Sequence, residues 1–321
     1  SRWATSRSTA SDLVQDYAAN SFTEQFAVPE AGLFRRGAHY DYYPSDWETG
    51  APSGFTYEKN IAPTIAAGGK VVAKPLSTKD AKTLFCFALM LAEGYEVDLI
   101  RKELKQGVSL FACEGWDIFS SEAVVLNPGN EPLVHSKSIG SMKCGIGGPW
   151  DLALNTDVFV KAWKRVFSDG RFMDFGWTIK VDPDCVWLPQ RFKAQVAMSD
   201  PELEFYLNNC NQGLHGPIEV LARGGMLRFY GGIEACLADQ TLQDEKSVWG
   251  EDVFLRHCLR KLGVSKINDF NMLSEEACFK ENPGKTGCFS GKVAFHPFKE
   301  WGSYMKCLGQ AEQSNGKTTF I

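Results

Sequence analysis

Phe175-Gly176-Trp177-Thr178-Ile179-Lys180-Val181-Asp182-Pro183-Asp184 is the stretch on which the fold turns. Trp177, Ile179 and Val181 point one way and Thr178 and Lys180 the other, the period-two pattern of a strand over 175–181. The strand runs straight into two carboxylates one residue apart. Pro183 fixes its own φ and restrains Asp182 toward an extended conformation, so both side chains can approach one cation. A hard divalent ion takes oxygen ligands, and a nucleotide diphosphate can supply some of them. The same triplet also suits a capped turn.

Upstream of this strand, Thr83 to Leu91 is a compact apolar run that suits a buried strand, ended by Gly94. Val97, Ile100 and Leu104 then recur at helical spacing over 95–105, with Gly107 as C-cap. Val108 to Cys113 reads as a second short strand, and Trp116 to Ser120 continues the sheet. Strand, helix and strand in this order predict an α/β layer structure. The Gly-containing run 137–148 reads as a loop, and its Gly145, Gly147 and Gly148 match neither G-x-G-x-x-G nor a P-loop. Thr156 is placed to cap a helix over 157–167 whose apolar face is Phe159, Trp163, Val166 and Phe167.

Downstream, Phe205 to Leu207 and Ile218 to Leu221 read as short strands, and 226–237 as a helix interrupted by Gly231 and Gly232. The clearest helix is 251–262, with Leu255, Cys258, Leu259 and Leu262 on one face. Glu251 and Asp252 in its first turn, and Arg260 and Lys261 in its last, suit the helix dipole. Residues 1–30 are polar, and 31–78 mix aromatics with turn formers without a sustained period. We expect 1–78 to be a stem and irregular segment packed on one domain spanning 79–321.

The whole composition is that of a globular chain: 321 residues, 44% hydrophobic and 23% charged. With 34 basic against 39 acidic residues and no basic run, a nucleic-acid backbone reader is disfavoured. No apolar run approaches 18 residues, the longest being Leu84 to Ala92, so no segment here is expected to span a bilayer. The chain opens on Ser1, so the lack of a leader says little. Ten cysteines without a C-x-x-C pair fit a few structural disulfides in an oxidising compartment better than a zinc site. There is no N-x-S/T sequon, no G-x-S-x-G elbow and no H-E-x-x-H.

Three further positions carry candidate chemistry. Gly250-Glu251-Asp252 opens the strong helix; the acids suit capping, and one of them can also take a proton from a hydroxyl. His296 lies in Phe295-His296-Pro297-Phe298-Lys299, as a packing residue or as an imidazole ligand that favours Mn²⁺; Lys299 can meet phosphate as a point charge. His215 sits in a polar loop, Asn208 to Pro217, that suits either a turn network or contact with a sugar. Trp249, just before Gly250, is placed for a substrate wall, whereas Trp116 and Trp150 suit the core equally well.

Taken together, these blocks resemble the nucleotide-sugar-dependent glycosyltransferases of the GT-A type. Lys180-Val181-Asp182-Pro183-Asp184 looks like the metal-binding D-x-D at a strand end. Gly250-Glu251-Asp252-Val253-Phe254, followed by Cys258 to Val264, looks like the E-D-V helix of the β-1,3-galactosyltransferase and fringe-like group. Ile218 to Gly225 resembles that group's strand and turn near donor sugar and acceptor, and His296 matches a late metal-binding histidine. The chain departs in having Asp-Pro-Asp where Asp-Asp-Asp is commoner, and Ala222-Arg223 where a Ser-Arg pair is usual.

The resemblance implies a GT-A (Rossmann-like) single-domain mixed sheet flanked by helices, with an irregular N-terminal extension. It implies a metal-dependent transfer of a sugar from a nucleoside-diphosphate donor, UDP-linked, to an acceptor hydroxyl, with inversion. Asp184 and His296 would bind Mn²⁺ or Mg²⁺, and Asp182 would bind it through water or hold the ribose. Asp252, or else Glu251, would be the base. Phe85, Cys86 and Phe87 would border the nucleotide base, Lys299 the diphosphate, and Trp249, His215, Arg223 and Gly224 the sugars. The acceptor would be a glycan, glycoprotein or small molecule, met in the lumen of the secretory pathway. The competing readings are a sugar- or nucleotide-binding structural protein that kept the fold without turnover, and a metal-dependent phosphoryl or glycosyl hydrolase.

Overall fold

Leu84, Phe85, Cys86, Phe87 and Ala88 are all inaccessible to solvent, so the first strand lies at the centre of a sheet covered on both faces. The computed structural model describes Ala73 and residues 75–148, 152–278 and 287–314. The segment expected over 1–78 lies outside the described residues except for Ala73 and 75–78, and Trp150 lies outside them too.

In chain order the elements are β1 (Leu84–Leu89), α1 (Tyr95–Gln106), β2 (Gly115–Ser120), β3 (Lys137–Ser138), β4 (Gly145–Gly147) and β5 (Leu152–Leu154). There follow α2 (Thr156–Asp169), β6 (Trp177–Val181), β7 (Val186–Trp187), α3 (Pro189–Gln195), β8 (Phe205–Asn208) and β9 (Ile218–Ala222). The chain continues through α4 (Arg223–Leu237), α5 (Gln240–Glu245), α6 (Glu251–Lys261), β10 (Ser265–Asn268), β11 (Leu273–Ser274), β12 (Ala294–Phe295) and α7 (Trp301–Gln313).

Seven strands form the main sheet in the order β10-β8-β9-β6-β1-β2-β3. All its neighbours pair in parallel except at β9, which runs antiparallel to both β6 and β8. The architecture is therefore the expected α/β one: a mixed, Rossmann-like sheet flanked by helices. Alternation along β1 sends Leu84, Cys86 and Ala88 into one core with Trp177, Ile179 and Val181. It sends Phe85, Phe87 and Leu89 into the opposite core, beneath α2, α4 and α6. A small sheet, β11-β12-β7, takes its β7 from the chain that leaves β6.

Three local expectations are corrected, the first being the run 137–148, read as a loop, which carries β3 and β4. Val108 to Cys113 is not a strand; Ser109–Ala112 is a 3-10 turn, and Cys113 is tied to Cys86 of β1. Helix α4 is not interrupted at Gly231-Gly232: a Cβ on Gly232 would lie 2.3 Å from Leu262 Cδ2, so the glycine lets α6 pack close. Eight of the ten cysteines form disulfides: Cys86–Cys113, Cys210–Cys278, Cys236–Cys258 and Cys288–Cys307. Cys144 and Cys185 stay as thiols.

Candidate functional site

The carboxyl ends of the parallel strands are where ligands sit in open α/β sheets. Here that end of β6 becomes a tight turn: Cys185 N donates to Asp182 O at 3.0 Å, with Pro183 in the bend. The turn is fixed from β9 as well, since Asp182 N donates to Pro217 O at 3.0 Å. Asp184 is thereby turned inward and buried, and Asp182 stays partly open.

The small sheet brings the remaining groups. Phe295 of β12 pairs antiparallel with Val186 of β7, so the chain passes Asp184 as it leaves β12. Phe298 N donates to Asp184 O at 2.8 Å. His296 Nε2 then lies 3.3 Å from Asp184 Oδ1. Ser274 of β11 pairs parallel with Phe295, and this register sets Glu275 beside His296, with Nδ1 and Oε1 3.2 Å apart. Glu275 Oε2 in turn meets His215 Nε2 at 2.9 Å, an ion pair rather than an aligned hydrogen bond. His215 Nδ1 faces Asp252 Oδ2 at 3.6 Å.

The His215 loop is held from within. Asn209 Nδ2 donates to His215 O at 2.8 Å, and His215 N donates to Asn209 Oδ1 at 2.9 Å. The loop is thus the turn network expected of it, and it presents the His215 imidazole. At the mouth of α6, Glu251 N donates to Asn155 Oδ1 at 3.1 Å, so the residue before α2 anchors the acidic turn.

A second bridge runs through the sheet. Lys180 is fully buried, with Nζ 2.7 Å from Asp182 Oδ1 and 3.1 Å from Glu251 Oε1, and it donates to Gly216 O at 2.7 Å. The ammonium also lies 4.5 Å from the centroid of Phe159 of α2. Its cross-strand neighbour Glu219 is equally buried, and its carboxyl oxygens have no hydrogen-bond partner among the described residues.

The electrostatics follow from these contacts. Burial opposes the charge on His296, but Asp184 and Glu275 outweigh it and push the imidazole up to about 10. Glu275 and Asp252 likewise push His215 up to about 9 against burial. Burial would raise Asp184 and Glu275, yet the histidines beside them hold both below the usual carboxylate range. Burial and then Glu251 push Asp252 up, partly opposed by His215. Burial drives Glu219 well up, whereas Asp182 and Glu251 keep Lys180 charged despite burial.

Asp182, Asp184 and His296 offer ligand atoms within 4.8 Å of one another. The 3.3 Å between Asp184 Oδ1 and His296 Nε2 is close to the roughly 3 Å that separates neighbouring ligands of a small octahedral cation. Two carboxylates and one imidazole make a donor set that could hold a divalent cation. His215, Glu275 and Cys278 also cluster, but the Cys278 sulfur is bonded to Cys210 and has no thiolate to offer.

Several expected site residues are placed elsewhere. Phe85 and Phe87 are fully buried among the helix-side apolar side chains, and Cys86 is buried and cross-linked. None can border a nucleotide; the chain that reaches this edge is the segment after β1, where Leu91 N donates to Glu96 Oε2 at 2.7 Å. Arg223 and Gly224 stand at the far end of the sheet, because antiparallel β9 pairs Ala222 with Trp177. Four residues of strand carry them about 13 Å from the Ile218 end. There Arg223 bonds both Glu202 oxygens at 2.7 Å, and Gly224 packs against the Glu202 backbone. Lys299 does reach the site, 5.6 Å over the ring of Tyr95, whose hydroxyl is 3.3 Å from Asp184 Oδ2. Trp249 is half-buried in the turn before α6.

No protein-family model and no curated protein matches the sequence. Among solved structures, the fold is similar to that of a glycosyltransferase involved in the glycosylation of the major capsid of PBCV-1. The identity is 9%, the TM-score 0.39, and the match covers 72% of this chain and 99% of that one. At that degree of likeness no residue role passes from one chain to the other.

Proposed function

We propose that the chain is a metal-dependent glycosyltransferase that moves a sugar from a nucleoside-diphosphate sugar, UDP-linked, to an acceptor hydroxyl with inversion. The observation that carries this reading is the meeting of Asp184 and His296, 112 positions apart in the sequence, beside Asp182 at the carboxyl end of β6. The sequence resemblance to the β-1,3-galactosyltransferase and fringe-like group supports the same assignment. Asp184, His296 and Asp182 would hold the cation, which when bound would supply positive charge to a departing diphosphate. Lys299 adds a point charge from the same side. Asp252 takes the proton of the acceptor hydroxyl, with its carboxylate steadied by His215 and its basicity raised by burial and Glu251. Trp249 stands just before this turn as a wall for the sugars. The acceptor is a glycan, glycoprotein or small molecule.

Four disulfides support an oxidising compartment, and we place the chain in the lumen of the secretory pathway. No helix among the described residues is long and apolar enough to cross a membrane.

One observation favours a second reading, a sugar- or nucleotide-binding protein without turnover. The Lys180 ammonium already sits on Asp182 and competes there with a cation. A panel of nucleoside-diphosphate sugars with Mn²⁺, followed by thermal shift and by release of nucleoside diphosphate, separates the two. The enzyme reading expects stabilisation by one donor and release on adding an acceptor. Stabilisation without release supports the second reading, and no response to any donor contradicts both.

A further inference from the structure

Glu275 touches two imidazoles at once. Its Oε1 accepts a hydrogen bond from His296 Nδ1 at 3.2 Å, and its Oε2 is 2.9 Å from His215 Nε2. Each contact uses one ring nitrogen and leaves the other directed outward: His296 Nε2 at Asp184, His215 Nδ1 at Asp252. One carboxylate therefore joins the group that would hold the cation to the group that would hold the base. The backbone around it is braced. Cys278, three residues after Glu275, is bonded to Cys210, which directly follows the Asn209 that clamps the His215 loop. The β11–β12 pairing fixes Glu275 from its other side.

We propose that Glu275 is a positioning residue that orients His296 toward the metal and His215 toward Asp252, coupling the two halves of the site. The physical reason is that a carboxylate on one imidazole nitrogen keeps a proton there and fixes the ring, so the opposite nitrogen is presented to its ligand in one orientation. A carboxylate that served only to neutralise the two partly exposed histidines would, once removed, leave His296 easier to deprotonate and so would not weaken its hold on a metal. The inference rests on the metal-site reading above, and the test keeps the two apart.

The test is Mn²⁺ titration of the whole chain, followed by electron paramagnetic resonance, on wild type and Glu275→Gln. Thermal melting without metal serves as the check on folding. The expected result is Mn²⁺ binding by wild type and a 10- to 100-fold weaker affinity in the variant, about the loss seen when a metal-bound imidazole is deprived of its partner. If Glu275→Gln fails to fold, Glu275→Asp is judged on the same scale, since the shorter side chain cannot span both rings. His215→Asn supplies the other arm: near-unchanged Mn²⁺ affinity with a lower kcat and an unchanged KM for the donor. A folded Glu275 variant with wild-type Mn²⁺ affinity overturns the inference and leaves the metal site standing. Absence of Mn²⁺ binding in wild type overturns the metal-site reading itself, and the inference with it.

Discussion

Lys180, with no exposed surface, places its ammonium 2.7 Å from the carboxylate of Asp182 two residues further along the chain. The same nitrogen reaches Glu251 at 3.1 Å, so one buried cation ties the Asp-Pro-Asp turn to the first turn of α6. Removing one partner of a buried pair leaves the others desolvated and unmatched, which typically costs about 3–5 kcal/mol. Lys180→Met is expected to lower the unfolding free energy by an amount of that order, read from the urea midpoint at constant slope. A change within about 0.5 kcal/mol would show that the bridge is not a stabilising element.

Asp184→Asn keeps the shape of the side chain but removes its charge from the buried position beside His296. Metal affinity is expected to fall by more than about 100-fold, beyond the loss from partners that merely orient a ligand. Calorimetric titration with Mn²⁺ measures it, and a wild-type isotherm from the variant would remove Asp184 from the ligand set.

Glu96 carries a pH dependence of stability. Burial pushes its carboxyl up to about 8 in the folded chain, from an ordinary value of 4.5. Between those values the native state holds a proton that the unfolded chain has released. Stability therefore falls as pH rises through that window and levels off above it, with a slope of up to about 1.4 kcal/mol per pH unit. Glu96→Gln keeps an acceptor for Leu91 N and is expected to flatten this part of the profile. Melting curves from pH 4 to 9, identical in slope for both chains, would refute the assignment.

The central strand pair and the helices beside the site were legible because their signals are local. Trp177, Ile179 and Val181 alternate within five residues, and α6 shows its apolar face over three turns. What escaped was set by distant pairing. β7, β11 and β12 have two residues each, too short for any period, yet their register is what sets Glu275 and His296 side by side. Alternation sets Lys180 away from the apolar side of its strand, and that is where it lies. Alternation cannot show that α2 and Phe159 cover that second face too. Resemblance draws Arg223 and Gly224 toward the sugars, whereas the direction of β9 takes them to the opposite end of the strands. Glu275 has no motif around it; its signal is a pairing between segments 21 residues apart.

Cys210–Cys278 closes a span of 68 residues beneath the histidine bridge. On the chain-entropy account a loop of that length contributes about 4 kcal/mol. Cys210→Ser with Cys278→Ser is expected to lower the unfolding free energy by about 2–4 kcal/mol and to weaken turnover more than it weakens folding of the main sheet. Chemical denaturation beside donor turnover checks both parts, and an unchanged midpoint would exclude a stabilising role.

The proposed chemistry requires a metal at the carboxyl end of β6. Anomalous diffraction at the manganese edge, from crystals soaked with Mn²⁺ and UDP, is the measurement. One strong peak is expected in ligand contact with Asp184 and His296, with the diphosphate on its open side. A peak bound elsewhere, or UDP seated away from the end of β6 with no metal beside Asp184, would contradict it.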